Sequence, residues 1–349
     1  MKAAYFYAPG DVRCEETDVP AIADNELLVE VKASSICGTD QRIFKNGHFK
    51  IPAGEKRVLG HEISGVIAQV GQLTSTFKVG QRVSFTPNIG CGHCEFCRSG
   101  YNQMCPDYEA FGISLDGGFQ QYMRVPAEAI SGNNLFLLPD NVGFDEASLI
   151  EPLSCCYNAF SELKVNYDDT VLVIGAGPIG ACHVMLAKVA GAKKVIVADI
   201  RDSRLESILQ FGADVTINSA EQDLHRQVMQ ETGGRGVDVV ITAASVADLQ
   251  TQSIGLLATH GRVCFFGGLG QKQLVPIDTN LVHYKGLKLL GTTGSSNQDY
   301  YQSLRLVAEG RINLAPLVSY RFPVSEINDA FATAASGNGM KCLIVNEGN

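Results

Sequence analysis

Four cysteines crowd into fifteen residues, as Cys91-Gly-His-Cys94-Glu-Phe-Cys97 followed by Cys105. That spacing can wrap four thiolates tetrahedrally around one zinc, and a site so closed is structural. An iron–sulfur cluster competes, because Pro106 follows Cys105, but seven residues separate Cys97 from Cys105 and the bacterial ferredoxin run is much tighter there. Two disulfides are the remaining alternative, one that a reducing compartment disfavours. His93 lies between ligands and reads as an exposed residue rather than a replacement ligand.

Three further pieces, Cys37-Gly-Thr39-Asp40, Gly60-His61-Glu62 and Glu151-Pro-Leu, each carry a possible zinc ligand of a different type. Singly they say little, since a lone cysteine is usually a small buried hydrophobe and a lone glutamate a solvated charge. A third kind of chemistry is written in Val171-Leu-Val-Ile-Gly175-Ala-Gly177-Pro178-Ile179-Gly180, an apolar strand running into a glycine-rich turn and then a helix. Gly175 permits the tight turn, Gly177 lets backbone approach a pyrophosphate, and Gly180 allows helix to pack on strand. The free N–H groups of the helix start complement the phosphates. Asp199 ends the next apolar run, at the distance where a carboxylate accepts from the adenosine ribose hydroxyls. Its charge would repel a 2′-phosphate, which favours NAD over NADP; Arg201 and Arg204 nearby soften that preference.

Two textures must position these groups. Up to about residue 145 the chain reads as short β-like runs (Leu27 to Val31, Ile63 to Val70, Arg82 to Phe85, Gln121 to Val125) broken by Gly, Pro and Asn. From Thr170, apolar strands alternate with amphipathic helical stretches, the pattern of a parallel sheet with covering helices. Six strands are expected: Val171 to Ile174, Val195 to Asp199, Val215 to Ile217, Val237 to Thr242, Arg262 to Phe266 and Leu287 to Leu290. The helix Pro178 to Ala190 starts on a proline suited to a first turn and stops before Gly191. The division expected is residues 1–149 as a β-rich domain with a zinc lobe at 88–106, then 150–291 as the nucleotide domain. Residues 292–349 are too short for a domain of their own and return to complete the first.

At 349 residues, 45% of them hydrophobic, the chain can bury a substantial core. Its 37 acidic against 28 basic side chains leave a net charge of -9, which argues against nucleic acid as a partner. With no apolar run long enough for a bilayer span and no apolar stretch at the start, a cytoplasmic protein without membrane contact is expected. Scattered cysteines outside the clusters fit reduced thiols.

The whole set, Cys37-Gly-Thr-Asp, Gly60-His-Glu62, the Cys91 to Cys105 lobe, Asp116-Gly-Gly-Phe119, Glu151-Pro-Leu-Ser154 and Gly175 to Gly180, resembles the zinc-containing medium-chain dehydrogenase/reductase superfamily, and within it the polyol dehydrogenase branch. The resemblance implies an α/β protein: a GroES-like β-rich catalytic domain split around a doubly wound Rossmann domain, with the active site in the cleft between them. It makes Cys37 and His61 catalytic-zinc ligands and leaves the third ligand open between Glu62 and Glu151. It thereby implies a structural and a catalytic zinc in each chain, NAD as coenzyme, a small polyol-like substrate, and a homodimer or homotetramer. A zinc with an open position is a Lewis acid that lowers the pKa of an alcohol, from whose carbon hydride leaves for the nicotinamide. Thr39 resembles the hydroxyl that takes the alcohol proton, and Asp40 the carboxylate that orients the ligand histidine.

One departure stands out: Arg42 occupies the position where many relatives place a relay histidine, and a guanidinium cannot shuttle a proton. His48, water or the cofactor ribose are the alternative exits. Phe85, Phe111 and Tyr157 are candidate pocket walls or core residues. The loop carrying Arg42, Lys45, Lys50, Lys56 and Arg57 could receive a substrate phosphate, or be a solvated basic loop. The function expected is reversible oxidation of a secondary alcohol of a polyol or polyol phosphate to a ketone. The alternatives are an amino alcohol or cyclitol substrate, or a nucleotide-sensing relative without catalysis. A zinc-free quinone-reductase-like protein would keep the glycine turn but lack the ligands.

Overall fold

The computed structural model describes residues 1–270 and 273–346. Residues 347–349, the end of the expected return segment, lie outside the described residues. The chain divides into two units, Met1–Ser154 with Ser295–Asn349, and Cys155–Gly294. No helix among the described residues is long and apolar enough to cross a membrane.

In the second unit, β-branched apolar runs form six parallel strands. Thr170–Ile174 and Val237–Thr242 lie at the centre, Lys194–Asp199 and Val215–Asn218 to one side, Leu257–Phe265 and Lys288–Gly291 to the other. In chain order that is 3-2-1-4-5-6, the doubly wound arrangement. Leu172, Ile174, Ile196, Val240 and Val263 supply the buried face. The fifth strand starts at Leu257 rather than Arg262, because Leu257 pairs with Val237 before the register breaks and Arg262 resumes opposite Val239. His260, at φ +61°, sits in that interruption and makes the segment look like a turn in sequence.

The first unit is built on a seven-stranded sheet. Its centre is Leu27–Ser35, four residues longer than the apolar run suggested, because Ala33, Ser34 and Ser35 continue the antiparallel ladder opposite Ser64, Ile63 and Glu62. On the other side of that strand end, Lys341–Val345 pairs antiparallel, with Leu343 opposite Ser35. Leu27, Val29, Ile63, Ile67 and Phe85 share one core cluster, while Phe6, Val58, Phe119, Phe331 and Ile344 fill another. Phe85 and Phe111 are fully buried and meet edge to face at 5.7 Å, so they are core and not pocket walls.

Candidate functional site

The ladder just described delivers the residues of the first candidate site. Ser35 opposite Glu62 sets Cys37, two residues past one strand end, beside the first residues of the neighbouring strand. Cys37 then caps the helix Gly38–Asn46, where Asp40 Oδ2 accepts from the Cys37 backbone N–H at 2.8 Å. Asp40 Oδ1 accepts from Gly60 N–H at 3.1 Å, which ties the helix start to the segment carrying His61. Gly60 itself has φ +91°, and a Cβ there would fall 2.6 Å from the Phe119 ring, so no other residue fits before His61. Ligand atoms of Cys37, His61 and Glu62 come within 4.8 Å of one another. A thiolate, an imidazole and a carboxylate at that separation fit zinc with a position left open.

Fixed charges surround these donors. His61 Nδ1 lies 3.4 Å from Asp40 Oδ1, an ionic contact without the alignment of a hydrogen bond. Burial alone would lower the pKa of His61, but the charges of Asp40 and Cys37 outweigh it and carry the value well above the usual one. Glu62 is fully buried and its two oxygens accept from Lys341 Nζ at 2.7 and 2.5 Å. Burial opposes the charge of Lys341, yet Glu62 first and Cys37 next push its pKa up to about 12. Glu151, in the first turn of the helix Ile150–Leu163, is 6% exposed. Its charge acts on Lys341 and also on the buried Tyr300, whose hydroxyl pKa is raised chiefly by burial.

Sequence reasoning missed Lys341. The signal was present: a lysine opens the apolar strand Lys341-Cys-Leu-Ile-Val345, and a lysine so placed needs a buried partner. Thr39 is half-buried and its Oγ1 accepts from Arg42 at 2.8 Å. His48 is stacked on Phe49 and its Nδ1 accepts from the Lys50 backbone N–H. In the basic loop, Lys50 donates to the Tyr108 carbonyl and covers its ring, and Lys56 lies 3.7 Å over Tyr5 and 3.2 Å from Glu15. Arg57 reaches Asp116 at 3.3 Å and Glu55 at 3.7 Å.

The second site is the lobe. Sulfur atoms of Cys91, Cys94, Cys97 and Cys105 also lie within 4.8 Å of one another. All eleven cysteines are free thiols, which removes the disulfide alternative. Backbone N–H groups of Cys91, Cys94 and Cys97 point at neighbouring sulfurs at 3.3 to 3.4 Å, the donation a set of thiolates needs. Such donation from His93 and Cys94 brings Cys91 down to about 6, whereas burial pushes Cys97 up to about 12. His93 is exposed and turned to the Cys91 carbonyl.

In the second unit, the helix Pro178–Val189 starts at the glycine turn. A Cβ on Gly180 would sit 1.9 Å from the Gly175 carbonyl oxygen, while above Gly177 the nearest atom is Arg204 Nη1 at 3.8 Å. One position is sealed for packing and the other open for approach, as a pyrophosphate cradle requires. Asp199 Oδ2 accepts from Ala176 N–H at 2.7 Å, and Oδ1 from Ile200 and Arg201 N–H at 2.7 and 3.0 Å. Arg204 Nη1 is 4.0 Å from Asp199. Tyr157 is half-buried, 6.5 Å from Phe160.

Two family models match the chain: alcohol dehydrogenase GroES-like domain over residues 23–134 and zinc-binding dehydrogenase over residues 178–309. Sorbitol dehydrogenase of Bacillus subtilis is 33% identical over 337 residues, 96% of this chain and 93% of its own length. The chain belongs to the zinc-containing medium-chain dehydrogenases, polyol branch. D-arabitol-phosphate dehydrogenase of Enterococcus avium is 31% identical, covering 99% of this chain and 97% of that protein. A zinc-binding dehydrogenase of Sinorhizobium meliloti, whose crystal structure has NADP bound, superposes with a TM-score of 0.91 at 29% identity over 99% of both chains. This medium-chain dehydrogenase is accordingly a zinc-type alcohol dehydrogenase, with a GroES-like domain and a Rossmann domain.

Proposed function

We propose that the protein oxidises a secondary alcohol of a small, unphosphorylated polyol to a ketone, reversibly, with NAD as hydride acceptor. The observation that carries this reading is the set Cys37, His61 and Glu62, the first half-buried and the other two buried, backed by Asp40. Zinc there supplies the Lewis acid that makes an alcohol proton labile, and NAD the hydride acceptor. Thr39 Oγ1 would take the alcohol proton; Arg42, which donates to that oxygen, cannot accept it, so the proton would leave by a route other than Arg42. Asp40 holds His61 and the Cys37 N–H in place. Asp199 and Arg204, 4.0 Å apart, would hold the adenosine ribose, where the carboxylate would favour a free 2′-hydroxyl.

An unphosphorylated substrate is favoured because Lys50, Lys56 and Arg57 already have partners within the chain. The test is a panel of polyols, their phosphates and amino alcohols, followed by NADH formation. A hexitol or pentitol should give the highest kcat/KM. Faster turnover of the phosphates or of amino alcohols would move the substrate assignment, and no NAD-linked turnover of any alcohol would remove the reading altogether.

A further inference from the structure

The cysteine lobe is bonded to a part of the chain that the chemistry just described does not use. Asn102 lies inside the lobe, and its carbonyl accepts from the Cys105 N–H at 3.2 Å. A Cβ on Gly90 would fall 2.5 Å from Cys97 Sγ and 3.2 Å from Asn102 Cβ, so a candidate ligand and this asparagine pack over one glycine. Asn102 Oδ1 accepts from the Asn297 N–H at 3.0 Å. Asn297 follows Ser295, where the chain re-enters the first unit, by two residues. Its side chain is fully engaged: Oδ1 accepts from Thr86 Oγ1 at 2.8 Å, and Nδ2 donates to the Gly132 and Asn133 carbonyls at 2.7 and 3.1 Å. Buried Asn134 closes the network, donating to Thr86 Oγ1 and to the Asn88 carbonyl, each at 2.9 Å. That same carbonyl takes Asn102 Nδ2 at 2.8 Å. The chain leaves the first unit after Ser154, and Ser154 Oγ is hydrogen-bonded at 2.7 Å to Ser295 Oγ, both residues being buried. Exit and re-entry are thus tied together, and the re-entry is tied to the lobe.

We propose that the lobe anchors the two chain crossings: Asn102 and Asn297 hold the start of the return segment, and through Ser295 the exit at Ser154, in one arrangement. A four-thiol lobe keeps its shape around an ion, so the place of Asn102 depends on the metal that Cys97 and Cys105 would share. Asn102 and Asn297 are then positioning residues. They act on the reaction through the crossings that join Cys37, His61 and Glu62 in one unit to the glycine turn in the other. Linked hydrogen bonds in which every donor meets an acceptor are the kind that fix a single geometry. The inference rests on zinc in the lobe, and on the proposed dehydrogenase reading for its kinetic readout alone.

The experiment compares the full-length, zinc-loaded protein with Asn102→Leu, Asn102→Asp and Asn297→Ala by backbone hydrogen–deuterium exchange, zinc per chain, NAD binding and steady-state kinetics. In Asn102→Leu and Asn297→Ala, amides of residues 295–300 should exchange about tenfold faster, the worth of one or two hydrogen bonds. Amides of the strand Lys194–Asp199 should keep their rates, both zinc ions should stay, and NAD affinity should not change. Turnover should fall about tenfold, as a misplaced reacting pair requires. Asn102→Asp keeps an acceptor for the Asn297 N–H and should behave as the unaltered protein does. Unchanged exchange at 295–300 in both folded variants, or faster exchange spread evenly over the chain, overturns the anchor. Faster local exchange with undiminished kcat overturns the positioning role. Should Asn102→Leu fold poorly or shed the lobe zinc, Asn297→Ala decides, since Asn297 lies outside the lobe. If the unaltered protein turns over no alcohol while the exchange pattern holds, the dehydrogenase reading fails and the anchor stands.

Discussion

The two cysteine-bearing sites of the first unit are built on opposite plans. In the lobe, four sulfurs from fifteen consecutive residues meet with backbone N–H groups as their main support. At the other site, three donors of three chemical types come from a helix start and a neighbouring strand, and the last strand adds a charged residue that is itself no ligand. Four like anions satisfy an ion and leave nothing to react, so local chain suffices. Three unlike donors leave the ion reactive, and such a site needs buried counter-charges, here Asp40 and Lys341, to hold its geometry.

The largest expected effect sets these plans against each other. Cys37→Ser should lower turnover by on the order of a thousandfold or more and remove one zinc, with little loss of stability. Cys97→Ser should remove the other zinc and cost on the order of several kcal/mol of folding free energy. Metal analysis with thermal melts checks both, and equal loss of activity and stability in the two variants would erase the distinction. Next, Thr39→Val should reduce kcat about a hundredfold while zinc content and NAD binding stay as they were; normal turnover would take Thr39 out of the reaction.

A third prediction sharpens the role of the counter-charges by using a histidine that has none. His183 is fully buried, neither ring nitrogen has a hydrogen-bond partner among the described residues, and burial lowers its pKa to about 3. Its folded value lies below the unfolded one, so its share of stability is complete above the ordinary histidine value of 6.5 and is lost as pH falls towards 3. The loss should be about 1.4 kcal/mol for each pH unit in that window. Denaturant midpoints measured across it should fall more steeply for the unaltered protein than for His183→Leu. Smallest of all, Asp199→Ser should relax discrimination against NADP by about tenfold, the worth of one charge beside a phosphate; unchanged selectivity in coenzyme titrations would assign that preference elsewhere.

Much of this was legible because it is local. The lobe and the glycine turn are contiguous, and strand runs such as Val237 to Thr242 and Arg82 to Phe85 appear where the apolar pattern placed them. The interrupted fifth strand was misjudged at its start because a residue at φ +61° with a glycine beside it reads as a turn, and only pairing with Val237 reveals the ladder. Phe85 and Phe111 were candidate pocket walls, with core the commoner place for such aromatics, and packing against each other decided for core.

By itself, the sequence determined which atoms this protein offers: four adjacent thiols, a glycine turn ending in a helix, and three scattered donors of unlike type. Tertiary structure alone decided that Lys341 meets Glu62, across 279 residues of chain. A pairing of that kind depends on register between strands far apart in sequence, and no local pattern encodes it.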